Sequence, residues 1–124
     1  MKKNDESPPQ PVWSLIDLLE RVDNDQELLR ELLTIFKEDF PRTIRSLEMA
    51  VSDGDMKSSA TLGHTLKGML SNLGGTRAAV AAARLEEAAA ASKKASLRDA
   101  FETLQREAAN LLRELDAYSA GVRR

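Results

Sequence analysis

No cysteine occurs among the 124 residues, so neither a disulfide framework nor a thiolate metal site is available to this chain. Long hydrophobic runs are missing too. Nothing approaches the ~18–20 consecutive apolar residues of a membrane span, and no apolar segment follows the basic start as a signal peptide would require. A soluble cytoplasmic protein is the expectation, and the lack of cysteine fits a reducing compartment. Charge of one sign is absent as well: 18 Lys and Arg stand against 20 Asp and Glu, a formal net charge of −2. The charges are mixed, and no basic block is interleaved with aromatics, which are only 4 % of the chain. Nucleic acid is therefore not expected as a partner, because such binding needs a basic patch that replaces counterions.

What is present reads as helix. Leu, Ala, Glu, Lys and Arg dominate, β-branched residues are scattered, and no alternating strand pattern competes. The length suits one domain with a core that needs no staples. Residues 1–11, with Pro8, Pro9 and Pro11, are polar and read as a disordered tail or linker. A helical bundle is expected over 12–121. Ser14 with Asp17 resembles a capping box, opening a short helix with Leu15, Ile16, Leu18, Leu19 and Val22 on its apolar side. Asp25 is placed to cap a second helix from Gln26 to about Ser52, whose stripe runs through Leu29, Leu32, Leu33, Phe36, Phe40, Ile44, Leu47 and Val51. Pro41 inside this stripe predicts a kink near Lys37.

Gly54 and Asp55 punctuate the chain before a third helix, about Met56 to Leu73, which ends at Gly74-Gly75. Thr76 is expected to cap an alanine-rich fourth helix packing through Val80, Ala81, Leu85 and Ala88. Ser96 with Asp99 suggests a capping box for the last helix, with Gly121 as its terminator. That helix carries Leu97, Phe101, Leu104, Ala108, Leu111, Leu112, Leu115 and Tyr118 as its stripe. Short turns between long amphipathic helices predict an all-α, antiparallel up-down four-helix bundle with a short additional N-terminal helix.

The third helix carries a face that a pure core does not explain. At ~100° per residue, Leu62, Leu66, Met69, Leu70 and Leu73 gather on one side. His64, the only histidine, points nearly opposite. Ser71, Ala60, Lys57 and Gly68 lie near its direction, with Lys67 to the side. An exposed histidine is most often an ordinary surface residue, and a lysine one turn on is most often a solvated charge. Gly63 and Gly68 sharpen the question, since a glycine inside a helix costs about 0.5–1 kcal/mol relative to alanine. Close packing against a neighbouring helix is the plain explanation. For Gly68, on the outward side, close approach of a partner surface to the imidazole fits better. A neutral imidazole is a good nucleophile near pH 7, and a lysine one turn away can stabilise a phosphoryl group placed on it.

The stretch HTLKGMLSNLGG from His64 to Gly75 resembles the signature of histidine phosphotransfer (HPt) domains of two-component phosphorelays. Leu85-Glu86 in the following helix extends the likeness, as does WSLIDLLERVDNDQELLRELLTIFKEDFP, which is similar to the family's first two helices. The chain departs from the usual pattern where members often carry an arginine a turn before the histidine, here Ala60 and Thr61. It also departs at Gly63, where alanine is commoner, and at Met69, where a smaller residue is usual.

The resemblance implies a phosphocarrier in which Nε2 of His64 takes a phosphoryl group from an aspartyl phosphate of one receiver domain and returns it to another. Lys67 would stabilise the phosphate, and Gly68, Ser71, Ala60 and Lys57 would form the docking surface. No cofactor is implied for this chain, Mg²⁺ being expected on the partner receiver. The implied partners are receiver (response-regulator) domains, a hybrid sensor histidine kinase, or both. The chain itself is expected to be monomeric, with its apolar stripes consumed internally. No glycine-rich nucleotide loop accompanies the histidine, which argues against a self-phosphorylating kinase. Two alternatives share the fold: a non-catalytic helical adaptor, and an HPt-type domain phosphorylated directly by a chemotaxis-like kinase.

Overall fold

The computed structural model describes residues 10–122. The predicted tail lies largely outside them; Gln10 and Pro11 are exposed and precede the first helix. Five helices follow: α1 (Leu15–Arg21), α2 (Gln26–Asp53), α3 (Met56–Leu73), α4 (Thr76–Ala90) and α5 (Lys94–Val122). Among the described residues there is no strand, and no helix is long and apolar enough to cross a membrane.

Local chemistry sets most of the boundaries. The Ser14 hydroxyl accepts the Asp17 N–H at 3.4 Å, and the Asp25 carboxylate accepts the N–H groups of Glu27 and Leu28 at 3.1 and 3.0 Å. Each satisfies donors that a helix start leaves orphaned. Gly54 and Gly74 end α2 and α3 in the left-handed region, at φ 72° and 90°, where a residue without Cβ sits at no steric cost. Helix α2 is continuous through Pro41.

Three expected boundaries are corrected. Gly75, not Thr76, is the N-cap of α4 and supplies no side chain; the Thr76 hydroxyl instead reaches back to the Gly74 carbonyl at 3.5 Å. Helix α5 begins at Lys94, so Ser96 lies inside its first turn rather than capping it. The chain has already reversed at Ser92, φ 55°, and the Lys93 carbonyl accepts the Leu97 N–H at 2.8 Å. Gly121 does not terminate α5, which runs on to Val122.

Short turns make sequence neighbours antiparallel. Helix α2 packs on α3, α3 on α4, α4 on α5, and α5 returns to α2, closing a four-helix ring, while α1 lies against α2. The interior is the predicted one: Leu29, Leu33, Phe36, Phe40 and Leu47 from α2 and Leu66, Leu70 and Leu73 from α3 are buried. Ala81, Leu85 and Ala88 from α4 and Leu97, Phe101, Leu104, Ala108, Leu111 and Leu115 from α5 join them. Fully burying one such leucine contributes about 1.5–3 kcal/mol. The stripes are not wholly consumed, however. Ile16 is 72 % exposed and Val80 42 %, with Ile35, Leu28 and Met49 also outside. Val80 is displaced because alanines on either side, Ala78, Ala79, Ala81 and Ala82, fill the close α4 contacts.

Helix α1 is tied to the far end of α3 by polar contacts. The Ser14 N–H donates to the Gly74 carbonyl at 2.8 Å and the Trp13 indole N–H to the Leu73 carbonyl at 3.0 Å. Trp13 also meets Tyr118 of α5 edge-on, with ring centroids 5.5 Å apart. These bonds satisfy carbonyls that the end of α3 would otherwise leave open and fix the C-terminal end of the helix that bears His64.

Candidate functional site

Asp55 begins the site-bearing helix. Its side chain accepts the Ser58 N–H at 3.0 Å. That backbone bond, with the Ser58 hydroxyl and the charge of Lys57 acting the same way, holds the carboxyl below the ordinary aspartate value of 3.8. From this start α3 runs unbroken through Gly63 and Gly68, so the helical register assumed from the sequence applies. With Leu66, Leu70 and Leu73 buried on one side, the His64 side chain stands outside, 68 % exposed.

The two glycines differ. A Cβ on Gly63 would come within 2.9 Å of Leu85 Cδ2, 3.3 Å of Glu86 N and 3.4 Å of Glu86 Cα. Gly63 thus lets α4 lie close against α3. A Cβ on Gly68 would meet nothing within 4 Å, so packing within the bundle gives no reason for that glycine.

The close approach at Gly63 brings Glu86 beside the histidine. Nδ1 of His64 lies 3.1 Å from Glu86 Oε2, and Nζ of Lys67 lies 3.2 Å from Glu86 Oε1. One carboxylate, less than a third exposed, thus joins both side chains. A carboxylate only accepts, so Nδ1 must carry hydrogen to bond it. In the neutral ring the lone pair then belongs to Nε2. The arrangement offers an exposed nitrogen nucleophile of fixed tautomer with an ammonium group close by.

Ser71, Lys57 and Gly68 are exposed as the sequence predicts. Ala60 is only partly so and packs against the core, because it lies toward the side of the helix that meets α4. Lys67, one turn from His64, is paired with Glu86. The sequence pattern assigns Glu86 no role: it stands 22 residues from His64, and no spacing within one helix reveals what a second helix brings across. The only signal in the sequence is its place in Leu85-Glu86, a pair that belongs to the family likeness.

The family model for the Hpt domain matches residues 31–120, a span that contains α3, α4 and the whole of the site. No curated protein and no solved structure matches the chain.

Proposed function

The chain belongs to the Hpt domain family, phosphotransfer modules of two-component phosphorelays that have no kinase core, and on that premise we propose that His64 is the phosphoryl acceptor and donor. Nε2 attacks the phosphorus of a receiver's aspartyl phosphate in line. The N–P bond forms as the P–O bond breaks, and the aspartate carboxylate leaves with the electron pair. The reverse step delivers the group to a second receiver's aspartate. Mg²⁺ bound by the receiver stabilises the charge on the phosphoryl group in flight. On this reading the chain is a cytoplasmic phosphocarrier rather than an enzyme. Lys67 supports the phosphate, and Gly68 with Ser71, Lys57 and the partly covered Ala60 forms the surface a receiver meets.

The observation that carries the reading is the bond between Nδ1 of an exposed His64 and Glu86, since it leaves Nε2 as the free nucleophile. The test is incubation with phosphorylated receiver domains. The parent protein should acquire an acid-labile, base-stable label, and His64→Gln should acquire none while keeping its helical spectrum. An exposed substitution of this kind changes stability by within ~0.5 kcal/mol. Labelling that survives in His64→Gln would refute the assignment. A parent that takes no label from any receiver would favour the adaptor.

A further inference from the structure

We propose that Glu86 sets the lifetime of phosphorylated His64, its carboxylate keeping Nδ1 protonated after Nε2 has accepted the phosphoryl group and so keeping that group ready to leave. The proposal rests on the phosphocarrier reading and concerns the interval between the two transfers.

The argument follows the electron pair. When the Nε2–P bond breaks, its electrons stay on Nε2, and the new P–O bond forms to a receiver carboxylate or to water, which releases a proton to solvent. If Nδ1 carries hydrogen, the ring before cleavage is cationic and departs as neutral imidazole with its hydrogen still on Nδ1. If Nδ1 is bare, the ring must depart as an imidazolide anion, a far poorer leaving group. The Nδ1 proton therefore governs lability. A carboxylate 3.1 Å from Nδ1 favours the cationic ring by charge as well as by hydrogen bonding. An amide in its place could accept the same bond but brings no charge.

The charged groups bonded at this site are Glu86 from α4 and Lys67 from α3. Helix α2, the other neighbour of α3, presents Asp39 beside Met69 and Asn72, and that carboxylate is paired with Arg42. Lys67 partly offsets Glu86 at rest, but a phosphoryl group on Nε2 gives Lys67 a second anion to pair with. Because the carboxylate also stabilises the cationic ground state, it does not speed cleavage of the protonated ring. Its effect is confined to pH values at which the ring would otherwise lose the Nδ1 proton, and that confinement gives the proposal its signature.

The experiment labels the protein with phosphoramidate, a small donor that needs no receiver, removes the reagent, and follows decay by phosphorus NMR from mildly acid to mildly alkaline pH. With one histidine in the chain, the phosphohistidine signal has a single source. Glu86→Gln and Glu86→Ala should lose lability at a lower pH than the parent, because one opposing charge is removed. On the alkaline side their label should then persist longer, by up to about tenfold. Nitrogen NMR of the unmodified proteins supplies a second readout: the parent should hold its proton on Nδ1, and Glu86→Ala should lose that preference. Profiles that coincide, or that differ by one constant factor at every pH, would overturn the proposal, as would a parent ring with its proton on Nε2. Label on His64 with coincident profiles defeats this proposal alone, whereas failure of His64 to take label from any donor defeats the phosphocarrier reading with it.

Discussion

At the scale of single residues, the two glycines flanking His64 make opposite predictions. Gly68 is exposed with open space around it, so Gly68→Ala should stabilise the bundle by about 0.5–1 kcal/mol, read as a raised Tm. If a receiver comes close at this point, transfer from that receiver should nevertheless slow, and Gly68→Gln should slow it further. Transfer at the parent rate in Gly68→Gln would remove Gly68 from the docking surface. At Gly63 the same helix-propensity gain is opposed by contact with the fully buried Leu85 and with the backbone of Glu86, which is fixed in α4. Overpacking costs about 1–3 kcal/mol, so Gly63→Ala should lower the Tm. Lys67→Ala should weaken transfer, and the deficit should shrink in high salt, where an exposed charge is screened. The outward direction of His64 was legible from the 3.6-residue period alone, because Leu66, Leu70 and Leu73 fix which side is inside. Glu86 was not legible, because its role depends on how near α4 comes to α3, a distance set across helices by Gly63.

At the scale of elements, α3 is held at both ends by polar groups, and each end can be tested. The Asp55 carboxyl is held below 3.8, chiefly by the backbone N–H of Ser58. A folded-state value below the unfolded one means that the cap stabilises fully above the unfolded value and loses its contribution as pH falls through the lower folded one. Asp55→Asn should therefore unfold at a lower temperature than the parent near neutrality, and the gap between their Tm values should narrow below pH 3.8. A gap that stays constant with pH would mean that the charge contributes nothing. At the other end, a Cβ on Gly74 would lie 2.7 Å from the Ser14 carbonyl oxygen at φ 90°, so Gly74→Ala combines backbone strain with loss of the α1 clamp. It should cost more than the ~1 kcal/mol of an ordinary Gly→Ala mismatch, measured by denaturant unfolding. The caps at Ser14, Asp25 and Asp55 were readable because a short polar side chain stood directly before an apolar period. Those assigned to Thr76 and Ser96 failed where backbone alone starts the helix, through Gly75 and through the reversal at Ser92; a capping-type residue nearby then carries no information.

At the scale of the whole molecule, the closed ring of α2 to α5 was legible from four amphipathic stripes and short turns, whereas the apolar residues left outside it were not. A stripe read on a wheel does not reveal which members a neighbouring helix fails to cover. Those residues bear on oligomeric state. A stable protein–protein interface buries about 800 Å² on each partner around an apolar centre. Ile35 and Met49 lie on the same helix, but at 1.5 Å per residue they are roughly 21 Å apart along it. Val80 is on α4 among Arg77, Arg84, Thr103 and Glu107, a polar setting that interrupts any apolar patch. Ile35 has the most apolar company, lining a groove with Leu32, Phe36 and Met69, yet Asp39 and Asn72 share that groove. Dispersed in this way, Ile35, Met49 and Val80 supply no single centre for self-association. Sedimentation velocity at micromolar concentration should therefore give one species of 13.7 kDa, and Ile35→Ser should leave it unchanged. A dimer in the parent that Ile35→Ser dissociates would show that the groove between α2 and α3 is a self-association surface, and that the apolar residues outside the ring form one patch after all.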